Sequence, residues 1–171
     1  MGLAMQDDIS DGLAWAVREG IADPARACIV GASYGGYAAM RGVIKDPDLY
    51  RCAISISGVA NLRREVNDFG GYFFKGKYAD DWKKMTPDFA AVSPINGIAQ
   101  IKVPLLLIHG RRDVTVDVAQ SDSMAAKMRA AGKAVEYLPL PKADHYFTRQ
   151  PDRLMMLNAI GDFLAKNNPA P

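Results

Sequence analysis

Along the first third of the chain the spacing of apolar residues switches from helical to extended and back again. In "DDISDGLAWAVREG" (7–20), Ile9, Leu13, Ala16 and Val17 recur at helical intervals. Acidic residues lead this segment and Gly20 closes it, so it predicts a helix. Asp23-Pro24 then turns the chain, because the residue before a proline disfavours helical backbone. "RACIVG" (26–31) is a short continuous apolar run that predicts a buried strand, and "YGGYAAMRGVIKD" (34–46) returns to helical spacing. Further strands are predicted at 51–59, 103–110 and 134–140. Between the last two, "DVAQSDSMAAKMRAAG" predicts a helix with Met124, Met128 and Ala131 toward the core and Gly132 as its stop. A final helix starts at Pro151, with Leu157, Ile160 and Leu164 on one face. Strands alternating with helices predict an α/β fold, a mostly parallel sheet with helices on both faces.

The stretch 60–100 breaks this rhythm and is rich in aromatic and charged residues, as a substrate-binding excursion from an α/β scaffold would be. Composition adds limits. The 171 residues suffice for one domain with a sizeable core, and 49% hydrophobic with 23% charged is ordinary for a globular protein. Twenty-one basic and nineteen acidic residues are dispersed, so no basic tract points to nucleic acid or to an anionic membrane surface. No apolar run is long enough to span a bilayer, and no repeat or low-complexity segment interrupts the chain. Cys28 and Cys52 form no C-x-x-C motif and lie in apolar strand-like runs, which reads as two buried free thiols.

The chemistry is carried by "GASYGG", where the first strand meets its helix. Each glycine costs backbone entropy, so Gly31, Gly35 and Gly36 around Ser33 need a reason. The spacing G-x-S-x-G supplies one: a strand–turn–helix elbow holds the serine at the tip of a strained turn. Ser33 Oγ would stand at the C-terminal edge of the sheet, and the Tyr34 N–H, opening the helix, would face a developing oxyanion.

A serine hydroxyl needs a base, and the chain has two histidines. His109, in "LLLIHG", ends a buried strand and reads as a packed side chain bonded to backbone. His145, in "PKADHYF", follows the fourth strand and suits the chain order Ser…Asp…His. For the orienting acid, Asp113 in "HGRRDVTV" fits a post-strand loop. Asp117 reads better as a helix cap, and Asp144 is the immediate neighbour of His145. Arg111 and Arg112 read as solvated loop charges. The two distant histidines offer no metal-ligand cluster, and the glycines lack nucleotide-binding spacing, so no cofactor is expected.

With Ser33, Asp113 and His145 in this order, the chain resembles the catalytic α/β-hydrolase domain of the prolyl oligopeptidase family of serine peptidases, in its acylaminoacyl-peptidase and dipeptidyl-peptidase-IV branches. The resemblance runs over nearly the whole chain, and its most specific piece is G-x-S-Y-G-G-Y. It implies Ser33 as nucleophile, Asp113 as acid, His145 as base and the Tyr34 amide as an oxyanion donor. It also implies that the segment holding Leu62, Val66 and Phe69 lines the pocket for the residue before the scissile bond.

Two departures accompany the likeness. Residues 1–171 contain none of the β-propeller that precedes the hydrolase domain in such peptidases, and the domain's first strands are expected upstream of residue 1. A tyrosine hydroxyl from that upstream part gives the family its second oxyanion donor, and no tyrosine precedes Tyr34. The implied substrate is a short peptide cleaved through an acyl-enzyme on Ser33. The rivals are an esterase or dienelactone-hydrolase-like enzyme, or a packing module without activity. An unpaired first-strand edge would favour pairing with a second copy, so a homo-oligomer is among the expected partners. No secretory signal is visible, and the compartment stays open between cytoplasm and periplasm.

Overall fold

The structure is a computed structural model that describes residues 2–68, 81–86 and 88–170. Among the described residues four strands, β1 (Cys28–Ala32), β2 (Cys52–Ile56), β3 (Leu105–Gly110) and β4 (Val135–Leu140), form one parallel sheet in the order β1-β2-β3-β4. Helices α1 (Ala4–Arg18) and α2 (Tyr34–Lys45) flank β1 in sequence. Then come α3 (Leu62–Asp68) and α4 (Phe89–Val92), α5 (Ala119–Ala130) between β3 and β4, and α6 (Gln150–Asn167) at the end. The predicted α/β architecture is the observed one, with element ends shifted by a few residues.

The alternation of side chains along β2 and β3 sorts the core into two layers. Ala53, Leu105 and Leu107 point to one face, where Met40, Val43 and Ile44 of α2 meet Met124, Ala125 and Met128 of α5. Cys52, Ile54, Ile56, Leu106 and Ile108 point to the other face, against Phe163 of α6. Every residue of β2 and β3 is buried. That is why both strands read as continuous apolar runs rather than alternating ones.

Three expectations change. Leu157 does not share the buried side of α6: it is 58% exposed, while Ile160 and Leu164 pack on the core. Ala131 is exposed: α5 ends at Ala130, and Met128 is the last of its residues buried in the core. Cys28 and Cys52 are not free thiols but a disulfide. They face each other in the β1–β2 register with Cα atoms 4.7 Å apart, within bridging range.

Candidate active site

The strand–helix junction is as tight as the glycines require. A Cβ on Gly31 would run into the backbone of Gly35, the second residue of α2. A Cβ on Gly36 would lie 2.8 Å from the Cα of Gly58, beyond the end of β2. Gly35 differs, since a Cβ there would meet nothing within 4 Å. The steric demand therefore falls on Gly31, Gly36 and Gly58, and not on Gly35 as the symmetric motif implied. Gly58 had no motif to announce it.

The chain turns from β1 into α2 within one residue, Ser33, at φ 56° and ψ −119°. A non-glycine residue holds such a backbone only when its surroundings enforce it. Here the Ser33 N–H donates to Ile56 O at 2.8 Å, and Ser33 O accepts from Tyr37 N at 3.1 Å. Tyr34 is the first residue of α2, so its amide belongs to the helix's first turn, whose N–H groups precede the intrahelical ladder. Its ring packs on Tyr37, and burial raises the phenol pKa.

Asp113 enters from the loop after β3. Its side chain is fully buried, and Oδ1 accepts from the Thr115 amide at 2.9 Å and the Val116 amide at 2.8 Å. Oδ2 lies 2.7 Å from His145 Nδ1 and 3.3 Å from His109 Nε2. Burial would push this carboxyl up. The donors outweigh it, His109 first and then Val116, His145 and Thr115, and hold Asp113 well below the ordinary carboxylate range.

His145 sits in the loop between β4 and α6. Ala143 packs against Gly110, Phe147 is buried at positive φ in the α6-side core, and Arg153 donates to Phe147 O and Thr148 O. The Asp144 carboxylate accepts from the Tyr146 and Thr148 amides and the Thr148 hydroxyl, so it ties the loop rather than pairing with His145. These Thr148 contacts also lower the pKa of Asp144. His145 Nε2 lies 3.1 Å from Ser33 Oγ. A carboxylate only accepts, so Nδ1 of neutral His145 carries the proton and Nε2 takes the hydrogen bond from the Ser33 hydroxyl. The structure thus brings Ser33, His145 and Asp113 into one line at the C-terminal edge of the sheet.

Asp117 accepts from the Ala119 amide at the start of α5, as a capping aspartate does. Arg111 is an exposed loop charge as expected, and it pairs with Asp122. Leu62 does not line an open pocket. Its side chain is fully buried with Tyr37, Val59, Val92 and Val116, so it offers a substrate no surface. Val66 is half-buried on the same helix, and Phe69 lies outside the described residues. His109 is packed and bonded to the Val116 carbonyl, as its strand-end position implied. Its closeness to Asp113 was missed, although the i, i+4 spacing in "HGRRD" was there to be read.

Comparison with known proteins agrees with this frame. The chain is 34% identical over 173 residues to dipeptidyl aminopeptidase BIII of Pseudoxanthomonas mexicana, covering 95% of this chain and 24% of that protein. It is 30% identical to esterase LipQ of Mycobacterium tuberculosis, covering 92% of this chain and 42% of that protein. The acylaminoacyl peptidase of Pyrococcus horikoshii superposes with a TM-score of 0.85 at 25% identity, over 99% of this chain and 28% of that one. The chain therefore spans about a quarter of the length of the two peptidases, and its sheet and helices are those of an α/β hydrolase. The profile of the prolyl oligopeptidase family matches residues 1–168, and the chain belongs to that family.

Proposed function

We propose that this chain carries the catalytic centre of a serine peptidase that cleaves short peptides through an acyl-enzyme on Ser33. The observation that carries the reading is the continuous contact from Ser33 Oγ through His145 to Asp113, with spacings of 3.1 and 2.7 Å. His145 Nε2 takes the Ser33 proton as Oγ attacks the scissile carbonyl. The Tyr34 amide donates to the oxyanion, and Asp113 stabilises the imidazolium. His145 then protonates the leaving amine, and water releases the acyl group by the same steps. Family membership and the peptidase relatives support a peptide substrate.

Labelling with a fluorophosphonate, read by intact mass beside Ser33→Ala, tests the nucleophile. A single adduct on the wild type, absent from the variant, is expected. No adduct on a wild-type chain with native circular dichroism would overturn the reading. The likeness to an esterase favours a second reading in which the same three residues cleave esters. Rates on a matched dipeptidyl amide and ester separate the two, since turnover of the ester alone would select the second.

A further inference from the structure

His109 is a fully buried imidazole with polar partners at both ring nitrogens, and the reaction written above does not use it. Nε2 lies 2.9 Å from Val116 O, and Nδ1 lies 2.7 Å from Ser121 Oγ on α5. A carbonyl only accepts, so Nε2 of neutral His109 bears the proton and Nδ1 accepts from the Ser121 hydroxyl. The same Nε2 is 3.3 Å from Asp113 Oδ2, the oxygen that receives His145 Nδ1–H. One N–H is thus placed between the Val116 carbonyl and the Asp113 carboxylate.

An apolar residue would fill the end of β3 without polar partners, as Leu105, Leu106, Leu107 and Ile108 do along the strand. Here the partners form a chain from helix α5 to the candidate nucleophile: Ser121, His109, Asp113, His145, Ser33. The Val116 link doubles it. The residue whose carbonyl receives His109 Nε2–H also donates its own amide to Asp113 Oδ1. We propose that His109 is a positioning residue: it holds Oδ2 of Asp113 in line with His145, and Ser121 fixes the His109 tautomer that does so.

The inference rests on the reading of Ser33, Asp113 and His145 given above, so its test has two independent readouts. His109→Phe keeps a planar ring and removes both nitrogens. His109→Gln keeps an acceptor toward Ser121 and a donor toward Val116 and Asp113. Fluorophosphonate inactivation resolves the maximal rate from the binding constant. Loss of a hydrogen bond to a charged group predicts a maximal rate about ten- to a hundredfold lower in His109→Phe, with unchanged binding. The glutamine variant should recover most of it.

The second readout needs no turnover. The downfield proton resonance of His145 Nδ1–H should move in His109→Phe and return in His109→Gln. Ser121→Ala removes one oxygen from α5 and guards against a misfolded phenylalanine variant. It should slow inactivation by roughly two- to tenfold. A folded His109→Phe with the wild-type resonance and rate would overturn the proposal, as would a glutamine variant no better than phenylalanine. Should the wild type itself resist labelling, the nucleophile reading falls. The resonance then decides His109 alone.

Discussion

Asp113 is held from four directions: two backbone amides on Oδ1, and His145 and His109 at Oδ2. Asp113→Asn keeps the shape and replaces one carboxylate oxygen with a donor, which favours the wrong His145 tautomer. In a serine–histidine–aspartate arrangement that change costs roughly 10⁴-fold in rate. Fluorophosphonate inactivation should show it with the circular dichroism spectrum unchanged. The same carboxyl also affects stability. Its pKa is lowered in the folded chain, so the unfolded chain binds the proton first. Its stabilising contribution is full above the ordinary aspartate value of about 4 and drains as pH falls below it. Wild type should therefore lose stability faster than Asp113→Asn on acidification, measured by urea unfolding at stepped pH. The meeting of Ser33, Asp113 and His145 was legible because chain order and residue type constrain it strongly. The core location of Leu62 was not, since an apolar residue after a strand suits a pocket wall and a buried cluster equally.

At the scale of elements, β1 and α2 meet so closely that a single methyl group decides the fit. Gly31→Ala would press a Cβ into the Gly35 backbone, which cannot yield as a side-chain tip can. Overpacking of this kind typically costs about 1–3 kcal/mol. Gly35→Ala meets open space at a helical position and should stabilise by about 0.5–1 kcal/mol. Paired urea titrations would test the contrast, and equal midpoints for the two variants would contradict it. The elements themselves were legible in the apolar spacing, because β2 and β3 are buried on both faces and α2 is buried over most of its surface. The asymmetry between the two glycines was not. It depends on how far β1 and α2 have each turned by the time they touch, and G-x-S-x-G is symmetric about its serine. Leu157 eluded the sequence for a related reason: helical spacing defines a stripe, but not how wide a strip of α6 the sheet can cover.

Across the whole molecule, the three aligned side chains come from separate strands of the sheet. Ser33 follows β1 and His145 follows β4, the first and last strands in the order of the described residues, and Asp113 follows β3 between them. Their alignment is thus a property of all four strands in register. Among the described residues β1 pairs with β2 over five residues in register, Cys28 opposite Cys52 through Ala32 opposite Ile56. The Cys28–Cys52 disulfide lies in that pairing, at the strand starts opposite the Ser33 end. The two cysteines looked unrelated in sequence because their meeting depends on the register of a parallel pair, and they stand 24 positions apart with a helix between them. A crosslink over that separation removes chain entropy from the unfolded state, worth about 3 kcal/mol. Reduction should lower Tm by roughly 10 °C in a chain of this size. Denatured, unreduced protein should take up no iodoacetamide by intact mass, and two alkyl groups after reduction. Ser33 should label more slowly once the bridge is open, because loosening β1 moves Ser33 Oγ relative to His145. A Tm indifferent to reduction would mean that β1 is secured by the α2 packing and the β2 ladder alone.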